Sequence, residues 1–208
     1  MSRTERLTGG GAPLLDEPLP IELANATYAA RGRLRDGLRT PEHLGAWLRD
    51  RRDRLASPLG DRDLLSVTME DLAVARRLRD AIRALATAAV EDHRPSPRQL
   101  EALNAVARSA PRWRELRWDG APLAETHTLA GPVNAAMTEI ADTAVELFAG
   151  PRRRLLRTCH APGCVLFFLR DHPRREWCSA SCGNRARAAR HYRRHQRHPS
   201  DRARRSPR

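Results

Sequence analysis

All four cysteines of this 208-residue chain fall within 24 residues, as Cys159-x4-Cys164 and, thirteen residues later, Cys178-x3-Cys182. No other feature limits the fold as strongly. Two close pairs separated by a loop are what a tetrahedral Zn²⁺ requires, because each pair supplies two thiolates from one short turn and the loop brings the pairs together. Pro162-Gly163 before Cys164 suits a tight knuckle, and the apolar run Val165–Leu169 suits a short strand or hairpin over the metal. Ser179 or Ser181 can cap a helix starting near Cys182. Two disulfides would need an oxidising compartment, and an iron–sulfur cluster would also take four thiolates, but no other residue points to electron transfer. The expected cofactor is one structural zinc on Cys159, Cys164, Cys178 and Cys182. His160 and His172 are then left to outer or surface roles. A site closed by four protein ligands has no open position for substrate or activated water, so no catalytic residue is expected there.

Charge is distributed unevenly. The chain carries +13 overall, yet residues 1–150 hold 21 Arg against 22 acids, a net of −1, and residues 151–208 hold 17 Arg against 3 acids, a net of +14. From Asn184 the sequence continues Arg185, Arg187, Arg190, Arg193, Arg194 and Arg197, with no acid between 177 and 200. At 100° per residue Arg187, Arg190, Arg194 and Arg197 share an arc of about 80°. A cationic stripe without interleaved carboxylates is suited to phosphates or guanine edges. Ala188, Ala189 and Tyr192 would form the opposite side, leaning on Phe167, Phe168 and Trp177. Pro, Ser and Arg dominate residues 198–208, which read as a disordered basic tail.

The first 150 residues read as a mainly helical domain. Ile21, Leu23, Ala24 and Tyr28 suggest a first helix. Thr40-Pro41-Glu42 is an N-cap, a proline at the first helical position and an acid in the first turn. Leu44, Trp47, Leu48 and Leu55 follow at helical spacing up to Pro58-Leu59-Gly60. Thr68 and Asp71 resemble a capping box, and Leu72, Ala75, Leu78, Ile82, Leu85 and Ala89 predict a long helix over about 69–92. Ser96-Pro97 opens another helix. Trp113–Trp118 alternates before Asp119-Gly120, which predicts a short hairpin. Pro132 opens a last helix, closed by Gly150-Pro151. His43, His93 and His127 stand alone, no nucleophile or phosphate-binding signature accompanies them, and an enzyme is not expected. Asn25 is a polar residue in an apolar stretch, able to bond locally or to line a pocket. No run approaches the roughly 20 apolar residues of a membrane span, and the charged, glycine-containing start is unlike a signal peptide. A soluble, cytoplasmic protein is expected.

The string Trp177-Cys178-Ser179-Ala180-Ser181-Cys182-Gly183-Asn184-Arg185 resembles the CGNR zinc-finger family, bacterial proteins named for the tetrapeptide found here at 182–185. The likeness extends over 155–195, through both cysteine pairs and Phe167-Phe168. Pro18–Asn25 and Leu44–Leu48 are similar to the opening of the ABATE domain that precedes the finger in such proteins. Glu176 stands where a second Arg is common before Trp-Cys, a departure in the loop and not in the ligands. The resemblance implies a stress-induced transcriptional regulator.

The expected architecture is mainly α. A flexible leader (1–16) precedes a helical ABATE-like domain with a small β-hairpin (17–150). A treble-clef-like zinc finger ending in a basic helix (151–197) and the tail (198–208) follow, and the finger is expected to fold apart from the body. The expected function is DNA binding in transcription regulation, with the body sensing a ligand or dimerising. RNA binding, or docking of an acidic protein partner, stands as the alternative. Expected nucleic-acid contacts are Asn184, Arg185, Arg187, Arg190, Arg193, Arg194 and Arg197.

Overall fold

The computed structural model of the protein describes residues 6–7 and 11–196, with only the backbone of 6–7 and 195–196. Strands β1 (Arg6–Leu7) and β2 (Pro13–Leu14) pair, and helix α1 (Leu19–Ala24) follows. A hairpin of β3 (Thr27–Ala30) and β4 (Arg33–Asp36) leads to α2 (Pro41–Arg49) and the short α3 (Asp61–Leu65). Then come α4 (Met69–Val90), α5 (Pro97–Ala107), the hairpin β5 (Arg112–Asp119) and β6 (Ala121–Thr128), and α6 (Pro132–Ala149). The last elements are β7 (Leu156–Thr158), β8 (Phe167–Leu169) and α7 (Ala180–Gln196).

Local chemistry starts the helices as expected. Thr40 accepts from the His43 amide and Pro41 fills the first helical position, where a missing N–H costs nothing. Thr68 with Asp71, and Ser96 with Gln99, form complete capping boxes. Helix α4 is the central element. Its Leu72, Ala75, Leu78 and Ile82 are fully buried, and their three-to-four spacing presents one face to the surrounding helices. Val133, Met137, Ile140, Ala141 and Ala144 of α6 meet that face.

Two elements differ from the sequence expectation. Helix α1 stops at Ala24, with Asn25 at its C-cap, so Tyr28 lies in a strand instead of a helix. The β3–β4 turn places Arg31 and Gly32 both at positive φ (52° and 73°), the signature of a type I′ hairpin turn. Arg-Gly is a weaker turn signal than Asn-Gly, and the hairpin is not legible from sequence. Helix α2 ends at Arg49, before Leu55, because the chain turns through a 3-10 segment (Arg52–Arg54) that carries Arg51 inward. Arg51 is 1% exposed. Its Nη2 donates to Glu22 Oε2 at 2.8 Å, its Nη1 donates to the Trp47 carbonyl at 3.1 Å, and its guanidinium lies 4.1 Å from the Trp47 ring centroid. Burial pulls the Arg51 pKa down, and the Glu22 carboxylate opposes that shift. The other Glu22 oxygen accepts from the amides of Leu15 and Glu17 at 2.9 and 2.8 Å.

Removing one partner of a buried ion pair strands the other charge, at a cost of about 3–5 kcal/mol. Glu22→Ala should lower unfolding stability by that order, as should Arg51→Ala. The double variant Glu22→Ala/Arg51→Ala should lose less than the two single losses summed. Chemical denaturation of the four proteins measures the coupling, and strict additivity would contradict the pairing.

Candidate metal centre and basic helix

The four cysteine Sγ atoms lie within 4.8 Å of one another. Cys164 to Cys178 is 3.8 Å and Cys178 to Cys182 is 3.4 Å. With a Zn–S bond of about 2.3 Å, a tetrahedron has an edge of about 3.8 Å, so donor type and spacing both fit zinc. Cys159, Cys178 and Cys182 are buried and Cys164 is half-buried, and none forms a disulfide. Hydrogen bonds from Cys164, Cys178 and Cys182 push the Cys159 thiol far below its ordinary range, while the contact with Cys159 is the foremost cause pushing Cys164 and Cys178 upward. Four thiols this close cannot all ionise alone, and a divalent cation removes that conflict.

Local structure builds the centre from both ends. In the knuckle, the Cys159 amide donates to the Leu166 carbonyl at 2.8 Å and the Cys164 amide to the Ala161 carbonyl at 2.9 Å. Gly163 supplies the required positive φ of 71°. At the other end Ser179, not Ser181, caps α7, its Oγ accepting from the Cys182 amide at 3.2 Å. Arg185 Nη2 donates to Cys182 Sγ at 3.1 Å, which favours a thiolate there. Gly183 lets Trp177 approach, since a Cβ would sit 3.0 Å from Trp177 Cδ1.

Strand β8 alternates between two cores. Phe168 packs with Leu15, Ala161, Leu166, Ala186 and the cysteines. Phe167 and Leu169, with Leu156 of β7, belong to the core of the helical body. The finger is therefore not separate from the body, contrary to the sequence expectation, because period-two alternation sends neighbouring apolar residues to opposite faces. The outer edge of β8 is closed by side chains of the body. Asn25 Nδ2 donates to the Phe167 carbonyl and Asn25 Oδ1 accepts from the Phe167 amide, both at 2.9 Å. Glu17 Oε2 accepts from the Leu169 amide at 3.0 Å, while its Oε1 meets Arg175 Nη2. Arg83 lies 5.3 Å from the Phe167 ring centroid, and Arg175 lies 5.0 Å from that of Phe168. The open choice for Asn25 is thus settled as a clamp. Glu17, Glu22, Arg51, Arg83 and Arg175 carry no sequence signal for their roles, since each depends on a partner distant in the chain.

Helix α7 exposes Asn184, Arg185, Arg187, Arg190, Arg193 and Arg194, while Arg197 lies outside the described residues. Arg187 Nη2 bonds Asn184 Oδ1 along the same face. The inward face differs from the expected one. Cys182, Gly183 and Ala186 are buried, Ala189 is half-buried, and Ala188 and Tyr192 are exposed, Tyr192 by 69%. The inward contacts of α7 end at Ala189, so among the described residues little covers Tyr192. His43, His93 and His127 lie in the body, apart from the cysteine cluster. No helix among the described residues is long and apolar enough to cross a membrane.

Replacing Asn25 with Asp removes one donor and sets a carboxylate against the Phe167 carbonyl. A buried group left without its partner costs about 1–3 kcal/mol. Amide exchange at Phe167 and Leu169 should accelerate by the corresponding factor, whereas exchange at the buried Leu103 and Val106 of α5 should change far less. Equal acceleration throughout would show general destabilisation instead of a released clamp.

Two family models match the chain. One is ABATE, described as "Putative stress-induced transcription regulator", over residues 17–151, and the other is the CGNR zinc finger over residues 155–195. Neither describes an enzyme family. Among curated proteins, none matches the chain. Because the first match spans well over half of the sequence and the second covers the cysteine centre and its helix, the chain belongs to the ABATE family and carries a CGNR zinc finger.

Proposed function

We propose that this protein is a cytoplasmic DNA-binding transcription regulator whose finger presents α7 to duplex DNA. The observation that carries this reading is the exposed arginine face of α7, free of acids from 177 to 200 and mounted on a cysteine-bound base. Arg187, Arg190 and Arg194, continued in sequence by Arg197, reach phosphates or guanine edges, and Asn184, Arg185 and Arg193 flank them. Cys159, Cys164, Cys178 and Cys182 would hold one Zn²⁺, which supplies the cross-link between knuckle and helix. The body holds a cleft of about 480 Å³ between α4, α5 and α6. Leu85, Leu100, Val145 and Phe148 line it, with Arg94 and Arg153 among its polar groups, and this is where a sensed small molecule would fit.

Because β7 and β8 share the body's core, metal loss should reach beyond the finger. Elemental analysis should return one zinc per chain. Chelation should lower the unfolding temperature of the whole protein as well as melting α7, since metal-binding energy is folding energy at such sites. A chelated protein whose body unfolds at an unchanged temperature would contradict the shared core.

Changing Arg187, Arg190, Arg194 and Arg197 together to Ala should weaken DNA binding without loss of zinc. Each phosphate contact removed should reduce the slope of log affinity against log salt by about 0.9. Sequence selection from random duplex DNA, with an RNA pool in parallel, distinguishes the nucleic acids. Unchanged DNA affinity in the zinc-loaded quadruple variant would refute the proposed interface, and selective retention of RNA would transfer it to RNA.

A further inference from the structure

The hairpin β5–β6 extends beyond what its own packing supports. It has two eight-residue strands, and no third strand joins it among the described residues. Its base is held by Arg112 to Asp142 and Glu139 and by Thr128 Oγ1 donating to the Pro111 carbonyl. Beyond the base, Leu116, Trp118 and Leu123 are exposed by 72%, 73% and 57%. A two-stranded hairpin is marginal in water, and an open strand edge is a template for another strand. The two edges are unequal. Strand β6 carries Pro122, which lacks the N–H that a ladder needs, whereas β5, Arg112 to Asp119, contains no proline.

We infer that β5 is a self-association edge that pairs antiparallel with β5 of a second copy of this chain, about a two-fold axis at Leu116, to form a four-stranded sheet. Register and charge select that partner. Opposed residues of an antiparallel pair share a face, so the symmetric pairings that keep each face intact and join more than half of each β5 place Arg114, Glu115, Leu116 or Arg117 opposite its own copy. In three of these a charged residue, Arg114, Glu115 or Arg117, faces itself. Of the four, only the Leu116 register opposes no like charges. It places Glu115 opposite the partner's Arg117 twice, and Arg114 opposite the partner's Trp118 twice.

This register also relieves a conflict within the hairpin. Glu115 stands directly opposite Glu125 across β5–β6, a like-charge pair that costs stability. His127 lies 3.6 Å from both carboxylates, and Arg117 lies 3.3 Å from Glu125 alone. A second guanidinium opposite Glu115 completes the alternation of charge. On the other face Trp118, Leu116 and their two copies become neighbours, which shields apolar surface that the single chain leaves in water.

Sedimentation equilibrium of the zinc-loaded full chain should give twice the chain mass. Glu115→Arg, which opposes two pairs of arginines, should halve the measured mass while zinc content and helicity stay unchanged. The swap Glu115→Arg/Arg117→Glu should restore the dimer. Leu116→Cys should form a disulfide-linked dimer on mild oxidation, and Leu123→Cys on the far strand should not. A monomer at every concentration, a dimer indifferent to Glu115→Arg, or a cross-link from Leu123→Cys instead of Leu116→Cys would overturn the assignment. So would co-purification of a different protein on this edge.

Discussion

Strand β8 is buried on both sides, and the architecture depends on that. Three consecutive apolar residues, Phe167, Phe168 and Leu169, leave no face for solvent. One face closes the metal centre and the other completes the helical body. A strand of this kind also has an edge to satisfy, since its N–H and C=O groups have no access to water. Here the edge is met by two side chains, Asn25 and Glu17. The Asn25 amide reproduces the donor and acceptor of a peptide group, so it acts as one residue of a missing strand.

The Glu17 carboxylate reaches β8 because its own backbone is held. Glu22 accepts from the Leu15 and Glu17 amides with one oxygen and from Arg51 with the other. The result is a continuous polar path from Arg51 and Trp47 through Glu22 and Glu17 to the Leu169 amide and Arg175. Its innermost members are almost fully buried, where charge pairs are least screened. Arg175 continues the path to the Leu169 and Cys178 carbonyls, at the last turn before α7. The orientation of the basic helix is therefore tied to the centre of the ABATE body by hydrogen bonds as well as by apolar packing.

This connection gives physical content to a regulator of this construction. A ligand in the body changes what the finger does only if the two share an element with differential energy. Here β8 and the Glu22–Glu17 path are shared, and α4, which lines the cleft with Leu85, also carries Arg83 to the Phe167 ring and the Val165 carbonyl.

The sequence alone was sufficient for whatever depends on neighbours along the chain. The cysteine spacing announced the metal centre, the capping boxes at Thr68 and Ser96 announced α4 and α5, and the acid-free run announced the cationic face of α7. Each is a local pattern whose physics acts over a few residues. Asn25 was visible as an anomaly without its explanation, since its partner lies 142 positions away. Tertiary structure decided the rest. Arg51 carries no signal in the sequence, and its burial beside Glu22 follows only once α1 and α2 are both packed against α4. Phe167 and Phe168 read as a single aromatic pair, yet the pleat of β8 sends one to the body and the other to the cysteines, which joins two motifs into one folded unit.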